Sequence, residues 1–267
     1  LITQRVSQAS MTQRAGRAGR LEPGICLHLI AKEQAERAAA QSEPEILQSD
    51  LSGLLMELLQ WGCSDPAQMS WLDQPPAVNL QAAKRLLRML GALDGERLSA
   101  QGQKMAALGN DPRLAAMLVS AKSDDEAATA AKIAAILEEP PRMGNSDLGV
   151  AFSRNQPAWQ QRSQQLLKRL NVRGGEADSS LIAPLLAGAY ADRIARRRGQ
   201  DGRYQLANGM GAMLDADDAL SRHEWLIAPL LLQGSASPDA RILLALPVDI
   251  DELVQRCPQP VSYTHLT

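Results

Sequence analysis

Apolar positions at helical spacing dominate much of the chain. Between residues 44 and 61 they recur three and four residues apart, which predicts one amphipathic helix that begins at Pro44 and runs to Trp61, with Gly62 as its stop. Its apolar stripe comprises Ile46, Leu47, Leu51, Leu54, Leu55, Leu58 and Leu59. A second, basic amphipathic helix is predicted at 80–90, and the sequence LDGERLSAQG that follows is typical of a small hairpin. Two helices and a hairpin together predict a winged-helix module at 44–101.

The second half of the chain changes from a helical to a strand-like pattern. Residues 102–198 are rich in alanine and leucine and predict a small helical bundle, whose last helix ends in a run of arginines. After Arg198, short apolar runs alternate with Gly, Asp, Ser and Pro, which predicts an incomplete β-rich region at 199–258. The aromatic fraction is only 3%, with a single Phe, which indicates aliphatic and mostly helical cores. The predicted fold class is multidomain and mainly α.

The beginning of the chain combines one helix with one strand. Residues 7–20 predict a helix with Ser7 or Ser10 as its N-cap, and ICLHLI at 25–30 predicts a short buried strand that contains His28. Together they predict an α/β remnant at 1–32, and the polar, alanine-rich stretch 33–43 is interpreted as a linker. Since the chain lacks an initiator Met and a signal-peptide apolar segment, we expect its amino terminus to be a cut.

Charge and cysteine content limit the classes of function. The net charge is -2 and the pI is about 6.0, so the chain has no broad positive field and any nucleic-acid contact must be local. Cys26, Cys63 and Cys257 form no CxxC pair, so neither a disulfide framework nor a zinc site is indicated, and a reducing cytoplasm is the simplest setting. No apolar run reaches the roughly 18 residues of a membrane span, so we expect no membrane partner. The closing sequence PVSYTHLT breaks the pattern, and 259–267 is interpreted as a non-native tail.

The candidate chemistry lies in the octet QRAGRAGR at residues 13–20. Two glycines inside a helix each cost about 1 kcal/mol relative to alanine, so their presence needs a reason. On a helix, Gln13, Arg17 and Arg20 fall within roughly 60° of one another, and Gly16 and Gly19 lie along the flank of that face. Two converging guanidiniums suit phosphate oxygens, and a nucleotide γ-phosphate is a natural target. The alternative, a solvated arginine face at a helix C-terminus, is more plausible for a lone RxxR than for the octet.

The octet resembles motif VI of superfamily 2 helicases, and the preceding SQAS with the following PG and strand resembles the DEAH/RHA group of RNA helicases. The resemblance continues along the chain. SEPEILQSDLSGLLMELLQWG resembles the helix that opens the group's winged-helix domain, and LLRMLGALDGERLSAQGQKMAALGNDPRLAAML resembles the entry to its helical ratchet domain. YADRIARRR followed by YQLANGMGAML is similar to a bacterial subgroup. The resemblance covers residues 4 to 258.

The resemblance implies that this chain is the carboxy-terminal part of an ATP-dependent RNA helicase, from motif VI onward. Arg17 and Arg20 would be catalytic arginine fingers that reach ATP on the preceding RecA-like lobe, with Gln13 near the γ-phosphate or the attacking water and Gly16 beside the nucleotide. The chain contains no GxxxxGK[ST] loop and no strand leading into a DExH box. The resemblance places both motifs, and the Mg²⁺ they hold, upstream of Leu1. We therefore expect ATP and Mg²⁺ in the full-length enzyme, none held by this fragment alone, and no activity of the fragment alone.

The expected partners are single-stranded RNA, with DNA as an open alternative, and the missing RecA-like lobe. Arg193, Arg196 and Arg197 are candidate RNA contacts, although the helix dipole alone would favour cations at a helix end. Two competing interpretations remain. A non-enzymatic winged-helix module would bind nucleic acid through the second helix of that module, and a helical scaffold would bind none. The basic residues of that helix are Lys84, Arg85 and Arg88.

Overall fold

The protein is described by a computed structural model that covers residues 6–109, 111–141, 146–200, 202–233 and 237–257. The interpretation of 259–267 as a non-native tail falls outside these residues.

The amino-terminal segment forms helices but no strand. Helix α1 spans Gln8–Ala18 and helix α2 spans Lys32–Glu36. Ser7 is the N-cap of α1 and its side chain accepts a hydrogen bond from the backbone N–H of Ser10. The predicted strand at 25–30 is wrong, since these residues are exposed and carry no strand hydrogen bonds, and His28 is exposed as well. A strand needs a neighbour to pair with, and no described strand lies beside this segment.

The region predicted as a winged helix contains the expected elements with one break. Helices α3 (Ser52–Gln60) and α4 (Ala77–Met89) precede a hairpin of β1 (Leu93–Asp94) and β2 (Arg97–Leu98). The single helix predicted from Pro44 is instead a short 3-10 turn, Glu45–Leu47, followed by α3. The Asp50 carboxylate accepts a 2.7 Å hydrogen bond from the backbone N–H of Ser52, and this local contact separates the two helices.

Six helices form the bundle and pack into one core with α3 and α4. They are α5 (Ala100–Leu108), α6 (Pro112–Val119), α7 (Asp124–Glu138), α8 (Leu148–Ser153), α9 (Pro157–Arg169) and α10 (Ile182–Tyr190). Helix α7 has small alanines on several sides, so its neighbours approach it closely and most of the helix is buried. Its first turn carries Asp124, Asp125 and Glu126 behind the N-cap Ser123, a position where the helix dipole favours carboxylates.

The β-rich part is a small closed barrel. Its strands are β3 (Ile194–Arg197), β4 (Arg203–Leu206), β5 (Gly211–Met213), β6 (Trp225–Leu232) and β7 (Ala240–Pro247), and helix α11 (Ile250–Arg256) follows. The strand order is β3-β4-β5-β7-β6, and β6 closes the barrel by pairing with β3. Only β5 and β7 run parallel among the described pairs. This is the connectivity of a five-stranded Greek-key barrel of the OB type.

The boundary between the bundle and the barrel differs from the prediction. The sequence pattern placed Arg193, Arg196, Arg197 and Arg198 at the end of a helix. Instead α10 ends at Tyr190, a 3-10 turn covers Ala191–Arg193, and β3 begins at Ile194. Hydrogen bonds to β4 and β6 on both sides hold this arginine-rich segment as a strand, so tertiary pairing overrides its local helical preference.

In the barrel interior, the Tyr204 hydroxyl lies 2.8 Å from the carbonyl oxygen of Leu220 and 2.9 Å from that of His223, and its single proton is shared between these two acceptors. Its side chain is completely buried. We predict that Tyr204→Phe lowers the free energy of unfolding by about 1–3 kcal/mol, because the carbonyls of Leu220 and His223 lose the donor they share while the ring is kept. Urea unfolding of the two proteins measures the difference. Equal stabilities would show that water or another donor replaces the hydroxyl.

Candidate functional site

The octet predicted to carry chemistry lies on the exposed surface of α1 and in the turn after it. Gln13 and Arg17 are exposed on the helix. Arg20 lies beyond the last helical residue, since Gly19 is the C-cap, so the prediction of one helical face shared by all three side chains is wrong for Arg20. Glycine's low helix propensity accounts for this early end.

The two glycines that matter near this site differ in role. A Cβ built on Gly16 has no atom within 4 Å, so the space beside the arginine face is open. A Cβ on Gly24 would lie 1.9 Å from the carbonyl oxygen of Ala18. Gly24 therefore lets the turn after Arg20 fold back against the end of α1, a close approach that the analysis of the octet missed.

The cations of the octet remain available. Among the residues that the structure describes, no hydrogen bond or ion pair joins the side chains of Gln13, Arg17 or Arg20 to another residue. Guanidiniums present planar donors that match phosphate geometry. An open surface with unpaired Arg17, Arg20 and the amide of Gln13 is chemically suited to a phosphate-bearing ligand.

The amino-terminal end of α1 is fixed by polar contacts. Ser7 is buried, and its hydroxyl oxygen accepts from the hydroxyl of Ser42 at 3.2 Å. The side-chain amide of Gln8 donates to the carbonyl oxygens of Glu36 at 2.8 Å and Ala38 at 3.0 Å. The predicted linker thus contacts the motif helix directly, which sequence patterns did not reveal because the contacts span about thirty positions.

The three arginines predicted to bind nucleic acid have different environments. Arg193 donates to the carbonyl oxygen of Pro229 at 2.6 Å, and burial followed by the nearby charge of Arg113 lowers its pKa. Arg197 donates to the carbonyl oxygen of Arg222 at 3.0 Å. Arg193 is therefore directed into the fold, and one guanidinium nitrogen of Arg197 has a backbone partner.

Arg196 lies on the outside of the barrel above an aromatic ring. Its guanidinium carbon is 5.3 Å from the ring centroid of Trp225, the residue that faces it across the β3–β6 pair. The guanidinium also lies 3.7 Å from the Glu224 carboxylate, and about half of the Arg196 side chain is exposed. A stacked arginine and tryptophan at a barrel surface is an arrangement on which a nucleic-acid base can stack.

A buried ion pair between the bundle and the barrel was missed by the sequence analysis. The two terminal nitrogens of Arg113 on α6 contact the two carboxylate oxygens of Asp192 at 2.7 and 2.8 Å, and one also donates to the carbonyl oxygen of Ala189 at 2.9 Å. Arg113 is only 7% exposed. Burial by itself lowers the pKa of Arg113, but its bonds to Asp192 and the charge of that carboxylate outweigh burial, so the pKa is raised.

Two cations of α4 are already paired within the fold. The Glu96 carboxylate in the hairpin contacts Lys84 at 2.5 Å and Arg88 at 2.8 Å. Bonding to Lys84, and then the charge of Arg88, lowers the pKa of Glu96. Of the three basic residues on this helix, only Arg85 forms no side-chain hydrogen bond or ion pair with the described residues. Fewer basic side chains of α4 are therefore free to contact a nucleic-acid groove than the sequence suggested.

The described ranges contain no group of three or more His, Cys, Asp or Glu side chains that could hold a metal ion. No helix in the same ranges has the length and apolar character needed to cross a bilayer.

Comparison with known proteins identifies close relatives. No family model matches the chain. It is 96% identical over 262 residues, 98% of its length, to the ATP-dependent RNA helicase HrpB of Escherichia coli K12. It is 36% identical over 43% of its length to an ATP-dependent RNA helicase HrpA homologue of Haemophilus influenzae. The crystal structure of the E. coli DExH-box NTPase HrpB matches 97% of the chain with a TM-score of 0.86 and 96% identity. The chain spans 32% of the length of HrpB and 10% of the HrpA homologue, so it corresponds to a part of these helicases.

We predict that Arg113→Ala lowers the free energy of unfolding by about 3–5 kcal/mol, because it leaves the Asp192 carboxylate largely buried without its counter-ion. Denaturant unfolding of the chain measures the loss. Arg85→Ala is the matched control, since this arginine is exposed and its removal should change stability by less than about 0.5 kcal/mol. Equal losses of stability in the two variants would contradict the conclusion that the Arg113–Asp192 ion pair holds the bundle and the barrel together.

Proposed function

We propose that this chain, which belongs by sequence to the HrpB-type ATP-dependent RNA helicases, supplies the arginine fingers and part of the RNA-binding surface of such an enzyme. The observation that carries the proposal is the exposed arginine face of α1, whose cations are unpaired within the described residues, in a chain 96% identical to part of HrpB. In the whole enzyme, ATP hydrolysis would drive translocation along nucleic acid or its unwinding.

The residues around α1 are suited to contact one side of an ATP molecule. The open space at Gly16 admits a ligand close to the helix backbone, and Arg17 offers planar donors beside it. ATP, when bound by the neighbouring lobe, supplies the γ-phosphoryl group that passes to water. Arg17 and Arg20 would stabilise the charge that develops on that group, and Gln13 would orient the water or contact the γ-phosphate. Mg²⁺ would be held by the neighbouring lobe, together with the phosphates of ATP.

The neighbouring RecA-like lobe is the proposed partner of the segment after α1. Leu21, Ile25, Leu27 and Leu29 are each more than four-fifths exposed, although their side chains are apolar. A contiguous exposed apolar run favours contact with another protein surface. Since the run has the alternation of a strand, pairing with the sheet of that lobe would supply the strand neighbour that is missing within the described residues.

Single-stranded RNA is the proposed nucleic-acid partner, and its contact is placed on the barrel. Arg196 and Trp225 would stack a base, and the exposed part of Arg197 would lie close to the phosphates. Arg193 is assigned to the fold because its guanidinium donates to Pro229. A purely non-enzymatic winged-helix binder is disfavoured because Lys84 and Arg88 are paired with Glu96. With three free cysteines, we also place the protein in the reducing cytoplasm.

The arginine-finger assignment is tested with Arg17→Ala and Arg20→Ala in the full-length helicase. Each substitution should lower the kcat of RNA-stimulated ATP hydrolysis by about 10³-fold or more, because arginine fingers act on the transition state. Binding of a non-hydrolysable ATP analogue should persist. Arg14→Ala removes a neighbouring exposed arginine of the same helix and serves as the control with near-normal turnover. Unchanged turnover in all three variants would reduce the octet to a basic helix end and refute the assignment.

The RNA surface is tested with Arg196→Ala and Trp225→Leu in the same protein. Each should weaken binding of a single-stranded RNA by roughly 5-fold to 100-fold, because base stacking on an aromatic ring contributes about 1–3 kcal/mol. Fluorescence anisotropy with a labelled oligonucleotide measures the affinity, and thermal unfolding verifies that the barrel is intact. Arg154→Ala, an equal change of charge at an exposed position of the bundle, is the control. If all variants bind alike, RNA passes elsewhere.

A further inference from the structure

We propose that Gln8 is a positioning residue, which ties the motif helix α1 to the connector at residues 36–42 and thereby sets the location of Arg17. The inference rests on the function proposed above and adds a residue outside the octet to the machinery.

Several hydrogen bonds join the N-terminal end of α1 to the connector. The Gln8 side-chain amide bridges the carbonyl oxygens of Glu36 and Ala38, as described above. The backbone N–H of Gln8 donates to the carbonyl oxygen of Ala39 at 2.9 Å, and that of Ala9 to the carbonyl oxygen of Ala40 at 3.0 Å. Since the first N–H groups of a helix have no partner within the helix, the connector supplies their acceptors.

Few other contacts hold α1 in place within the described part of the chain. None of its residues is buried. A helix of this kind gains almost nothing from core packing, so its orientation depends on the contacts at its N-terminus. The connector, in contrast, leads into α3, whose Leu55 is completely buried in the core shared by α3, α4 and the bundle. Gln8 therefore links an unburied helix to the part of the chain that has a fixed position.

Arg17 lies far enough from Gln8 along the helix for a small tilt at the N-terminus to displace it. Gln8 and Arg17 are nine positions apart, which corresponds to about 14 Å of helix axis. A tilt of about 10° at the N-terminus would displace Arg17 by roughly 2 Å over that length. Misplacement of a catalytic group by about 1 Å can cost about 10²-fold in rate. Loss of the Gln8 hydrogen bonds should therefore lower the rate of ATP hydrolysis, while nucleotide binding by the other lobe is preserved.

The test uses Gln8→Leu in the full-length helicase. The leucine has a similar size but donates no hydrogen bond to Glu36 and Ala38. We expect the kcat of RNA-stimulated ATP hydrolysis to fall about tenfold or more, with the Kd of a non-hydrolysable ATP analogue within about twofold of the original. Gln34→Leu, the same change at an exposed position of α2, should leave both quantities unchanged. Gln8→Lys should restore most of the turnover, because its ammonium group can donate to the same two carbonyl oxygens.

A double-mutant cycle distinguishes positioning from a general loss of structure. If Gln8 acts through Arg17, adding Gln8→Leu to Arg17→Ala should reduce turnover by less than about twofold further. An equal reduction in both backgrounds, or a failure of Gln8→Lys to restore turnover, would overturn the inference. The inference would also be overturned if the Gln8→Leu variant hydrolysed ATP at the normal rate while the Arg17→Ala variant did not. If Arg17→Ala itself has no effect, the arginine-finger assignment fails first, and the two failures are thus distinguishable.

Discussion

The ion pair between Arg113 and Asp192 determines how the two halves of the chain are joined. Asp192 lies in the short turn between the last bundle helix, α10, and the first barrel strand, β3, and Arg113 reaches it from α6. The guanidinium carbons of Arg113 and Arg193 lie 5.2 and 5.6 Å from the ring centroid of Tyr190. Because Arg193 also donates to Pro229 of β6, the contacts run without a gap from the bundle to the barrel.

This joint has a consequence for the barrel surface. Only two residues lie between Arg193 and Arg196, and β3 leads from the buried cluster to Arg196 on the outside of the barrel. A charge that is buried and bidentately bound cannot shift without a large cost in free energy. The location of Arg196 and Trp225 relative to the bundle is therefore well determined, as the proposed RNA surface would require.

Elements defined by local spacing were predictable from the sequence, and elements defined by distant partners were not. The amphipathic helix α4, the hairpin closed at Gly95, and the capped start of α7 follow from periodicity, turn residues and capping residues close by in the chain. The strand at 25–30 and the helix end at Arg198 were predicted wrongly, because each outcome depends on whether neighbouring strands are present. Arg113 pairs with a residue 79 positions away, and no local pattern indicates such a pair.

The candidate site shows the same division between local and distant causes. Residue types and spacing identified the octet and the chemistry that guanidiniums favour, but they placed Arg20 on a helix that ends before it, and they did not reveal the contacts of Gln8. The exposed apolar run that begins at Leu21 and the unpaired cations of α1 lie in one short stretch of chain. Apolar groups and cations that are left without partners on the same segment favour a single complementary surface, apolar where it meets the run and anionic where it meets the arginines. The RecA-like lobe proposed as the partner would meet the second condition, because the phosphates of its bound ATP are anionic.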